Sequence, residues 1–197
     1  MKPTIIFNRA SPQYEAQLIK YGRDGAEYVM PSDEMYEQKI DALKKNWSEW
    51  GPKILDELYA ITQLEWLDKD IRCYVVSGTK SSFSHPLTLK LYDSDEKMFD
   101  VFVHELIHRL LNNPLHPDEH RAARKKFMEP HLGETMVVKN HIILHALHAQ
   151  VVLNLFGQER LDRVVAQVKS PDYLRAWDIV HEHGREQILK EVFNYQV

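Results

Sequence analysis

Five residues near the middle of the chain, His104-Glu105-Leu106-Ile107-His108, have the types and spacing for metal chemistry. Histidines at i and i+4 lie one turn apart on the same helix face, so both imidazoles can point at a single ion. Zinc accepts such nitrogens at about 2 Å. Glu105 is turned roughly 100° around the helix, poorly placed as a third ligand but able to reach a water on the ion. A metal that acidifies water, beside a carboxylate that takes its proton, is sufficient apparatus for hydrolysis. The chain is also rich in histidine: of 11, eight fall between His104 and His148. Three of these, His141, His145 and His148, share one stripe of an apolar helical segment with Glu134, about 60° wide. Polar groups aligned on a buried helix are costly unless partnered.

The pentapeptide His104–His108 resembles the zinc-binding signature of the zincin metallopeptidases. The order of short strands, signature helix and later helices over roughly 65–156 is similar to the small gluzincin-type members. The resemblance implies a zincin-like fold, one catalytic Zn2+, His104 and His108 as ligands, and Glu105 polarising the attacking water. It also implies a third ligand from a later helix. The metzincin extension would need glycine and histidine just beyond His108, where this chain has Leu111 and Pro114, so that branch is excluded. The gluzincin pattern needs a glutamate, which maps onto Glu134 in His131-Leu132-Gly133-Glu134-Thr135. Two arrangements stay open. Glu134 completes the site while His141 or His145 acts as an outer partner or transition-state donor, or His141 and His145 bind directly and close the ion in four imidazoles. One departure from the family pattern is Arg109, where an uncharged residue normally follows the second histidine.

The elements that must position these residues are legible from pattern. Asp93-Ser94-Asp95-Glu96 offers capping chemistry for a helix from Asp95 to about Asn112, ended by Pro114. Upstream, residues 71–77 read as a β-branched strand, and Leu87–Tyr92 alternates with its leucines inward. That second strand is expected to rim a cleft floored by the signature helix and the Glu134 helix, where an extended peptide could add to an exposed strand edge. Between the strands, Gly78–Pro86 reads as a polar loop, and Thr4–Phe7 as a further short strand. A helix over Pro12–Tyr21, with Tyr14, Leu18 and Tyr21 on one face, is expected to end at Gly22 and Gly25. Another begins after Pro31 with the stripe Tyr36, Ile40, Leu43 and Trp47. Gly51-Pro52 should break it before a helix through Ile54, Leu55, Leu58 and Ile61. The second half reads as helices over Asp118–Met128, Leu132–Phe156, Glu159–Val168, and Pro171 to about Asn194. The expected class is therefore α+β: a helix-rich domain with a two- or three-stranded sheet packed on the signature helix. It divides into a helical part (1–66), a catalytic core (67–156) and C-terminal helices (157–197).

Composition narrows the alternatives. In 197 residues, 44% are apolar and 27% charged, which excludes a disordered or collagen-like chain. A net charge of −4 provides no field for nucleic acid. The cluster Arg121, Arg124, Lys125 and Lys126 reads as a solvated face offset by Asp118 and Glu119. Asn140–Gln158 is the longest stretch without Asp, Glu, Lys or Arg, but its histidines make it a buried helix, not a membrane span. Cys73, the single cysteine, sits in an apolar segment as a core residue. His116, His120 and His131 read as surface or capping residues, and His181 and His183, two apart, diverge on a helix. The first residues lack a signal-peptide core, so a cytoplasmic protein is expected. The leading functional expectation is a zinc peptidase acting on a peptide or protein. Its rivals are a zinc hydrolase of other amides or esters, and a non-enzymatic helical module with a structural metal.

Overall fold

The computed structural model describes residues 2–22 and 30–196. Gly25 and the side chain of Tyr21, expected at the end of the first helix, lie outside the described residues. The chain divides into two compact units, Met1–Pro52 with Asp68–Arg109, and Lys53–Leu67 with Leu110–Val197.

The first unit is built on a sheet. Strands β1 (Thr4–Arg9), β2 (Asp70–Val76), β3 (Phe83–Ser84) and β4 (Leu87–Lys90) lie in the order β1-β2-β4-β3. The first two pairings are parallel, and β3 runs antiparallel to β4. Four strands stand where two or three were expected, because β3 hides inside the polar loop and is too short to show alternation. It also moves β4 off the edge: Tyr74–Val76 pairs with one side of β4 and Phe83–Ser84 with the other. The edge expected to be exposed along Leu87–Tyr92 is therefore occupied over Leu87–Thr88. Thr88, read as outward-facing, is fully buried because helix α1 (Pro12–Gly22) covers that face, with Tyr14 Oη 2.9 Å from Thr88 Oγ1.

Register places Phe7 beside Cys73 and Val75 beside Leu89 on the opposite face, all buried. Against this face lies α3 (Asp95–Leu111), which carries the signature. Ser94 caps it, its Oγ accepting from the amide of Lys97 at 3.2 Å. Phe102 anchors the contact, with ring centroids 5.0 Å from Phe7 and 5.3 Å from Trp47. Truncating so buried an aromatic costs about 3–5 kcal/mol. Glu15, 3% exposed, fixes α1 to the end of β2: it accepts from the Ser77 amide at 2.8 Å, from Tyr36 Oη at 3.1 Å, and from the Gly78 amide. A Cβ on Gly78 would lie 2.4 Å from Ile19 Cγ1, so this close approach requires glycine.

Helix α2 (Asp33–Thr62) runs uninterrupted through Gly51-Pro52, contrary to the expected break. The ring of Trp47 fills the space a Gly51 side chain would take, and buried Leu43, Ile54 and Leu58 hold the flanking turns. That packing offsets the roughly 3 kcal/mol that an interior proline costs.

The second unit is helical: α4 (Asp118–Met128), a 3-10 turn (Glu129–His131), α5 (Met136–Phe156), α6 (Gln158–Ala166), α7 (Pro171–His183) and α8 (Arg185–Phe193). Helix α5 packs on α6, α7 and α8. It is long and apolar enough to cross a membrane, yet 72% of that stretch is buried inside the protein. The helix begins at Met136, not Leu132, because Thr135 is its cap: Oγ1 accepts from the Val138 amide at 3.2 Å. Glu134 therefore precedes the helix. The expected single C-terminal helix is two, divided at Gly184, whose φ of 80° is left-handed.

Candidate metal centre

Helix α3 presents His104 and His108 half-buried on one face, with ring centroids 5.0 Å apart. On α5, His141 is buried and its Nδ1 lies 2.6 Å from the Val137 carbonyl. A carbonyl only accepts, so Nδ1 carries the hydrogen and Nε2 keeps its lone pair for a ligand. Tyr173 holds the ring from the side, at a centroid distance of 4.1 Å. Burial pushes the His141 titration down, which keeps the imidazole neutral, the form that binds metal. One ligand nitrogen from each of His104, His108 and His141 lies within 4.8 Å of the other two. Nitrogens on one tetrahedral zinc are about 3.3 Å apart, inside that limit.

No family model, curated protein or solved structure matches this chain. The zincin resemblance therefore rests on the residues themselves.

Among the described residues no other group of three or more such side chains reaches ligand spacing, and Glu134 and His145 are not in this one. Glu134 is committed elsewhere: its Oε1 accepts from Arg175 Nε at 3.0 Å and from the same guanidinium again at 2.8 Å. His145 stacks flat on Trp177, with centroids 4.5 Å apart and an interplanar angle of 14°. His148 is buried, and desolvation lowers its pKa to about 4.

Glu105 is 6% exposed and has neither a hydrogen bond nor an ion pair to the protein among the described residues. Burial raises its carboxyl pKa to about 7. Its charge reaches two neighbours. The Cys73 thiol is pushed far up by burial and then by Glu105, so it is no nucleophile. The Tyr92 hydroxyl is raised first by burial and further by Glu105.

Arg109 is explained by its partners. It forms an ion pair with Asp68 and donates to the Ser84 carbonyl at 3.0 Å, tying the end of α3 to β3. The charged residue after the second histidine is thus used internally. Sequence reasoning missed Tyr173 and Arg109's role, since neither partnership has a local signature. His116 does act as a cap, with Nε2 2.6 Å from the Leu110 carbonyl at the end of α3. His131, expected as a surface or capping residue, is buried at the end of the 3-10 turn.

Proposed function

We propose that the chain is a zinc-dependent hydrolase of metallopeptidase type, with a zincin-like fold, holding one ion on His104, His108 and His141. The observation that carries this reading is three imidazole nitrogens within 4.8 Å, with a buried carboxylate, free of protein hydrogen bonds among the described residues, on the same helix as two of them. Zinc, when bound, supplies Lewis-acid polarisation of a substrate carbonyl and of water. Glu105 accepts the proton of the attacking water and returns it to the leaving amine nitrogen. Burial raises the Glu105 carboxyl in the metal-free protein, and a cation held beside it would favour the charged form that accepts a proton. Tyr173 and the Val137 carbonyl keep His141 in one orientation and one tautomer.

Three ligands favour hydrolysis over a purely structural metal, because a catalytic zinc keeps its fourth position for water or substrate. His145, which would close a four-histidine site, is stacked on Trp177 instead. Over Leu87–Thr88 strand addition is blocked, since β3 occupies that edge of β4. The test is Glu105→Gln. It retains bound zinc and loses hydrolysis of a peptide panel by about 10²–10⁴-fold. Undiminished turnover overturns Glu105 as the base. Activity confined to esters or small amides replaces the peptidase reading with that of a non-peptide hydrolase.

A further inference from the structure

Two histidines of the helical unit belong to no ligand set described above. His131 ends the 3-10 turn and is 8% exposed, and its Nε2 is buried with no hydrogen-bond partner among the described residues. His183 is the last residue of α7 and is exposed. Their ring centroids are 5.3 Å apart, close to the 5.0 Å of His104 and His108. Phe127 packs against both rings, at 5.6 Å and 5.9 Å, and limits their freedom. The sequence pairs His183 only with His181, from which it diverges on a helix; in the fold its neighbour is His131.

We infer that His131 and His183 form a second transition-metal site, suited to a borderline divalent ion such as Zn2+, that fastens the 3-10 turn to the end of α7. A buried imidazole nitrogen without a partner is destabilising, and an ion facing it supplies the missing interaction. Burial and the neighbouring His183 both lower the titration of His131, so its ring is neutral and competent to bind. A cation there also meets the negative end of the α7 dipole. His183 gives the ion a route from solvent. Two protein ligands leave the remaining positions to water, so the site binds more weakly than the three-histidine centre and exchanges its ion readily. This inference does not depend on the hydrolase reading.

The experiment is a Zn2+ titration of the full chain by calorimetry, with the imidazole resonances followed by NMR. The wild type takes up two equivalents, and the His131 and His183 rings shift together during the weaker phase. In His183→Gln that phase weakens by at least about tenfold, whereas in His104→Ala it persists while the tighter phase is lost. His183 is exposed, so its replacement leaves the fold intact, which the melting temperature checks. Absence of the weaker phase in the wild type, or a weaker phase unchanged in His183→Gln, overturns the site. Loss of the tighter phase alone from the expected pattern counts against the hydrolase centre and not against this one.

Discussion

Helices α3 and α5 each carry two histidines four residues apart, His104/His108 and His141/His145, with ring centroids 5.0 and 5.3 Å apart. By spacing alone the two pairs are equivalent. Their surroundings differ. Both rings of the α3 pair belong to the group of three that could hold an ion, and a buried carboxylate lies on the same helix. On α5 only His141 joins, its tautomer set by the Val137 carbonyl, while His145 lies flat on Trp177. A one-turn histidine pair can serve one ion only where packing turns both nitrogens toward one shared space. Aromatic stacking assigns the second ring of α5 to the core.

The sharpest way to break this comparison is to delete one ring from each helix. His108→Ala weakens zinc binding by about 100-fold or more, and His145→Ala by less than about tenfold, in competition titrations against a chelating dye. Equal losses would make the two pairs equivalent after all. Glu105→Gln tests the carboxylate without metal. Its folded pKa of about 7 exceeds the unfolded 4.5, so charge at Glu105 burdens the metal-free fold above pH 7, and the burden fades as pH falls to 4.5. Urea unfolding at about pH 8 should show the variant more stable by on the order of 3 kcal/mol, with the difference gone near pH 4.

On α5 the sign is reversed. His148 titrates near 4 in the fold against 6.5 unfolded, so its contribution is complete above pH 6.5 and lost as pH falls toward 4. Removing the imidazole in His148→Leu should flatten that part of the stability profile, by an amount of comparable order. The smallest effect is expected from Glu134→Ala. Its carboxylate is engaged by Arg175, so zinc affinity should be unchanged in the same dye competition. A large loss would return Glu134 to the ligand set in place of His141.

The candidate site was partly legible. His104, Glu105 and His108 are read directly from a local spacing, because helix periodicity alone puts them on neighbouring faces. The third position is not local. Glu134 and His141 both satisfy the sequence pattern, and the choice turns on Thr135 starting α5 after Glu134 and on Arg175 holding that carboxylate. The fold shows the same division. Helix α4 follows its sequence boundaries, whereas α2 passes through Pro52 because tertiary packing outweighs a local penalty.

The amino-acid order alone determined a helix-rich α+β chain, the metal-competent pair on α3 with its adjacent carboxylate, and the burial of α5, since each follows from short-range periodicity and composition. Tertiary structure alone decided that His141 is the residue gathered with that pair, that β4 is an interior strand, and that His131 faces His183. Those outcomes depend on residues far apart in the chain competing for the same partners, and no local pattern records which of them wins.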